Sequence, residues 1–119
     1  MRINSAIEVI YDYISETNDV YISKLINFLH FTLETYKSLF LFRLELDLQR
    51  TESYLRNSIM EVQKKLKQIA RKMRKFDEDL SEALMIIGNA DIGELLKHSR
   101  DILLRIDKTR DLKERKYFV

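Results

Sequence analysis

An all-α fold, laid out as an elongated helical hairpin or bundle with one long coiled-coil helix, is predicted for this 119-residue chain by three observations. There is no Pro and there are only two Gly, Gly88 and Gly93, so the regularly spaced turn residues of a hairpin-rich β fold are missing. Leu, Ile, Lys, Arg and Glu dominate the composition, all of them tolerated or favoured in helices. Apolar residues recur at steps of three and four along most of the chain. A chain of this length has room for one domain.

The first helix is expected over 4–16, where Ile3, Ile7, Ile10 and Ile14, with Ala6 and Tyr13, share one face. Thr17-Asn18-Asp19 interrupts the pattern, and Asn18 or Asp19 suits the N-cap of the next helix.

The second helix, 20–48, carries one stripe of Ile26, Leu29, Leu33, Tyr36 and Phe40 and another of Leu25, Phe28, Leu39, Phe42 and Leu46. Phe31, Leu41 and Leu48 fall outside both, which squeezes the polar residues into a strip around Lys24, Asn27, Glu34 and Lys37. A helix apolar on most sides has to be covered on most sides. A chain this short has few other helices to do so, and a partner chain is expected to contribute. The aromatics Tyr21, Phe28, Phe31, Tyr36, Phe40 and Phe42 read as core or interface rather than as a cofactor slot.

The third helix, 51–87, has the most regular pattern. Leu55, Ile59, Val62, Leu66, Ile69, Met73, Phe76, Leu80, Ala83 and Ile87 alternate steps of four and three, an a/d seam of a coiled coil or bundle. Phe40, Leu44, Leu48, Thr51 and Leu55 bridge it to the second helix through a stutter. A continuous or kinked helix is therefore expected, a turn near 49–53 being the alternative. Unbroken, 20–87 would extend on the order of 100 Å at 1.5 Å per residue. Gly88 suits a left-handed C-terminal position. A last helix over 91–114 opens on Asp91 and Glu94, spaced as a capping box, and turns Ile92, Leu95, Leu96, Ile102, Leu103 and Ile106 inward.

Catalytic parts are missing. With no Cys there is no disulfide, thiolate metal site or thiol nucleophile. His30 and His98 fall on different helices, and Glu94 to His98 is one residue longer than the Glu-x-x-His spacing of helical di-metal sites. Neither glycine belongs to a phosphate-binding loop. The expectation is a non-enzymatic protein without cofactor or metal. The start, Met1-Arg2-Ile3-Asn4-Ser5, lacks the apolar core of a signal peptide, and the run Leu39 to Phe42 is far too short to span a membrane. A cytoplasmic location is expected.

One stretch bears a net charge of its own. Lys64, Lys65, Lys67, Arg71, Lys72, Arg74 and Lys75 lie between Glu61 and Asp77 with no acid among them, away from the seam. Such a patch suits phosphate backbones or anionic lipid headgroups, although no aromatics interleave it for base stacking. Asp77, Glu78, Asp79 and Glu82 follow at once, and adjoining bands of opposite charge also set register between partner helices.

From Leu80 to Leu96 a heptad helix ends in Ala83-Leu84 and Ile87-Gly88, a short acidic link follows, and the next helix opens with apolar residues. This resembles subunit 1 of the biogenesis of lysosome-related organelles complex and small subunits of the DASH kinetochore ring, over about 45 residues from Val62 to Ile106. The resemblance implies a short coiled-coil chain that lives inside an elongated hetero-oligomer. The aromatic residue those families place early in the last helix is absent, Leu95 or Leu96 standing there. Arg110, Arg115 and Tyr117 are spaced similarly to the Arg-x4-His-x-Tyr motif of HEPN ribonuclease toxins. Arg115 replaces the His, which implies an inactive site.

Together these features predict a structural or adaptor subunit that assembles with other helical chains, as a hetero-oligomer in preference to a homo-oligomer. The expected interface is Leu29, Leu33, Tyr36 and Phe40 with Leu55, Ile59, Val62, Leu66, Ile69, Met73, Phe76 and Leu80. The alternatives are a nucleic-acid- or membrane-binding protein acting through 64–75 and a self-assembling viral or filament protein.

Overall fold

Asn18 stops one helix and Asp19 starts the next. Asn18 takes a left-handed conformation, φ 58°, with its N–H on the Ile14 carbonyl, and the Asp19 carboxylate accepts from the Ile22 N–H at 3.0 Å. The computed structural model describes residues 1–42 and 48–102, with side chains for 1–39 and 50–102. Within these lie α1 (Ile3–Thr17), α2 (Val20–Phe42), α3 (Leu48–Met73), α4 (Glu78–Asn89) and α5 (residues 92–102), with no strand among the described residues.

The second and third helices are not one rod. The Tyr36 hydroxyl donates to Glu52 at 2.8 Å, and Leu25 and Phe28 line a groove with Ser58 and Val62. Residues early in α2 thus face residues late in α3, and the two run antiparallel. The longest dimension is 46 Å, under half of what an unbroken helix over 20–87 would need. Folding back lets the two helices cover each other: Leu25, Leu29, Leu33 and Tyr36 join Leu55, Ile59, Val62 and Leu66 in one core that a rod would leave in water.

The predicted helix over 51–87 is also broken. α3 ends at Met73, whose carbonyl receives both the Phe76 and Asp77 N–H groups, and Asp77 then caps α4 by accepting from Leu80 N–H at 3.0 Å. The break has an electrostatic logic, because Arg71 and Lys72 close α3 at the negative end of its dipole while Glu78 and Asp79 open α4 at its positive end. α4 returns along α3, and the buried Ser81 hydroxyl donates to the Ala70 carbonyl at 2.7 Å. The seam keeps its meaning within each arm: Leu55 to Leu66 and Leu80 to Ile87 point into the same core.

Gly88 does not take a left-handed turn. It is helical, and α4 runs on through Asn89. α1 lies along α4, with the Met1 ammonium 3.6 Å from Glu82, and buries Ala6, Ile7, Ile10 and Ile14. α5 packs on α2 through Ser99 and sends Leu95 and Ile102 into the core. The part of the expected last helix beyond 102, the Arg110, Arg115 and Tyr117 motif, and the side chain of Phe40 lie outside the described residues.

Candidate functional site

Most residues expected at a partner interface are used by the chain itself. Leu29, Leu33, Tyr36, Leu55, Ile59, Val62, Leu66 and Leu80 are buried in the core, and Ile69 and Met73 pack against its edge. Phe76 goes the other way, standing 83% exposed in the turn between α3 and α4. Apart from Phe76, the heptad positions are covered wholly or in part, and the covering helices belong to the same chain.

What stays uncovered is the outward face of α2. Tyr21, Phe28 and Phe31 are 57%, 49% and 68% exposed. With Lys24 they stand at steps of three, four and three, so they form one stripe along the helix. Thr32 is buried, and both Thr32 and Thr35 spend their hydroxyl protons on the helix itself, donating to the Phe28 and Phe31 carbonyls one turn back, each at 2.8 Å. Beside the stripe runs an open groove of about 450 Å³ between α2 and α3. Leu25 and Val62 form its floor, Tyr21 and Phe28 one wall, and Ser58, Glu61 and Lys65 the other, with Lys24 at the rim.

The basic cluster runs along the solvent side of α3, from Lys65 at the groove to Lys67 at the α4 contact, and on into the turn that carries Arg74 and Lys75. Lys64, Lys65, Arg71, Lys72, Arg74 and Lys75 are exposed, and Lys67 is half-buried where its stem crosses Gly88. None of the seven forms an ion pair among the described residues.

Two polar contacts between helices were invisible in the sequence. At the α2–α5 junction His30 Nδ1 meets the Ser99 carbonyl, and the fully buried Ser99 hydroxyl donates to Glu34 Oε1 at 2.9 Å. The Ser99 hydrogen bond holds the Glu34 carboxyl below the usual glutamate range against the opposing effect of desolvation, with Lys37 and His30 assisting. Ser, His and a carboxylate meet here in the wrong order for catalysis. The hydroxyl serves the carboxylate rather than the imidazole, and Ser99 has no surface to offer a substrate. The second contact joins Tyr36, Glu52 and Arg56: Arg56 Nη2 lies 2.8 Å from Glu52 and donates to the Tyr36 hydroxyl at 3.2 Å. Burial and the adjacent Glu52 raise the Tyr36 phenol, while the Tyr36 and Arg56 hydrogen bonds lower the Glu52 carboxyl.

Among the described residues no helix is long and apolar enough to cross a membrane, and no group of His, Asp and Glu is placed to hold a metal ion. No family model, curated protein or solved structure matches the chain.

Proposed function

We propose that the chain is a non-enzymatic interaction subunit that receives an acidic amphipathic helix of a different protein in the α2–α3 groove. The observation that carries this reading is the Tyr21–Phe28–Phe31 stripe, three exposed aromatics in line beside an apolar trough. Large apolar side chains clustered on a surface mark interaction sites, and aromatics dominate binding energy where they are desolvated. A helix-in-groove mode places residues at i, i+4 and i+7 of the incoming helix over Leu25 and Val62.

The charge at the rim selects the occupant. Lys24 and Lys65 flank the trough against a single Glu61. A second copy laid across the groove by two-fold symmetry would bring lysines against lysines, which costs stability. A helix with carboxylates beside its apolar stripe pairs with them instead. This places the interface on the outer side of α2, in contrast to pairing through the seam.

Photo-crosslinking in the native cell tests the reading, with the reactive group at position 31 and a control group at the exposed Asp12. The expected result is one adduct, specific to position 31 and lost in Phe28→Ala, whose crosslinked peptide is an acidic amphipathic helix. Crosslinks only to another copy, or the same products from both positions, would overturn it.

A further inference from the structure

We propose that the outward ridge of α3 is a docking line for the phosphate backbone of a nucleic acid, gripped without reading its bases. Seven of the chain's 21 cationic side chains fall within 64–75, which leaves the other 14 facing 19 carboxylates. The small net charge of +2 thus conceals a basic run whose removal leaves the remaining side chains with an excess of carboxylates.

Intramolecular needs do not account for the ridge. The helix dipole favours Arg71 and Lys72 in the last turn, but its influence fades before Lys64, Lys65 and Lys67. Like charges three and four apart on a helix repel, as Lys64 with Lys67 and Lys67 with Arg71 do here. The body has ample carboxylates, yet none lies within ion-pair distance of these cations among the described residues. Among the described residues the ridge has no carboxylate partner and is open to an anion.

Its shape favours a linear polyanion over a plane. Lys64, Lys67 and Arg71 follow one another at steps of three and four, a line on the order of 10 Å long, and Lys75 stands in the turn just past the end of α3. To one side α4 exposes Glu78, Asp79 and Glu82, and to the other α2 exposes its aromatic stripe. An anionic membrane would meet those carboxylates, whereas a single strand lying along α3 meets only the cations. Residues 64–75 include no aromatic side chain and the exposed Phe76 stands only at their end, so no run of rings stacks successive bases and binding is independent of sequence.

Fluorescence anisotropy with a labelled thymidine 12-mer tests the proposal on the full chain. About three phosphate contacts predict a log–log salt slope near −2, or roughly 15- to 20-fold weaker binding at 200 mM than at 50 mM salt. The variant Lys64→Gln/Arg71→Gln/Lys75→Gln, confirmed as folded by circular dichroism, should lose at least tenfold in affinity at low salt. If it does not fold, Arg71→Gln alone should flatten the slope by about 0.7. Lys97→Gln, on exposed α5, should bind as the parent does. Unchanged affinity in the ridge variants, binding indifferent to salt, or binding only to phosphatidylserine vesicles would overturn it.

Discussion

Gly88 of α4 passes so close to Lys67 of α3 that a Cβ on Gly88 would sit 2.5 Å from the Lys67 Cγ and 3.1 Å from the Gln63 carbonyl oxygen. The second neighbour is backbone and cannot swing aside. Gly93, on α5, would meet nothing within 4 Å. The two glycines therefore respond oppositely to the same substitution. Gly93→Ala should raise stability by about 0.5 kcal/mol through helix propensity. Gly88→Ala gains that preference but overpacks the α3–α4 contact, for a net loss of about 1–2 kcal/mol. Urea midpoints decide it, and equal shifts of one sign would show that the approach of α4 to α3 is not tight.

Gln63 closes the same junction. Its buried side-chain amide donates to the Ile87 carbonyl at 3.0 Å and to the Ala90 carbonyl at 2.8 Å, satisfying the end of α4 from another helix. Gln63→Leu keeps the volume and removes both donors, leaving the Ile87 carbonyl only its 3.4 Å bond from the Ala90 N–H and the Ala90 carbonyl without Gln63, at a cost of about 1–3 kcal/mol. The amides of α4 should then exchange hydrogen faster than those of α1. Protection that stays level across both helices would show the α4 end to be held by other means.

The seam, the first helix and the Asn18-Asp19 junction were legible because each is local: isoleucines at helical spacing, a capping carboxylate, a repeat of four and three. What the seam reports is that a face is buried, not which chain buries it. A rod paired with a partner and a hairpin folded on itself give the same rhythm, since each arm presents its own stripe. The signal that separates them is Asp77 with Glu78 and Asp79 after a basic stretch, a helix end followed by a helix start. The basic ridge was legible as a run without acids. Gln63 with Ile87 and Ser99 with Glu34 left no trace, because their partners are 24 and 65 residues apart and meet only after the helices pack. The groove was equally hidden, being made by two helices that the pattern alone allowed to be one.

Core and surface apolar residues should now part company in their effects. Leu66 is fully buried, so Leu66→Ala should cost about 2–5 kcal/mol and Leu66→Asp should unfold the isolated chain. Phe28→Ala and Phe31→Ala remove exposed rings and should shift stability by no more than about 0.5 kcal/mol. Thermal melts of the purified chain at several concentrations check both. If Leu66→Asp merely separates oligomers into folded monomers, the seam is an interface after all.

Glu34 makes the α2–α5 junction sensitive to acid. Its carboxyl is held below the ordinary glutamate range chiefly because the Ser99 hydroxyl donates to it, with Lys37 3.6 Å away and His30 alongside. A carboxyl lower in the folded than in the unfolded chain stabilises the fold fully above the unfolded value, near 4.3, and loses that contribution as pH falls through the folded one. With the Glu34 side chain 41% exposed, solvent screens much of the effect, so the direction matters more than the size. Between pH 5 and pH 3 the parent should lose more thermal stability than Glu34→Gln does. Carbon-detected NMR should find the Glu34 carboxyl titrating below the ordinary glutamate range, and Ser99→Ala should move it upward. A Glu34 titration that Ser99→Ala leaves in place would assign the lowering to Lys37 and His30 instead.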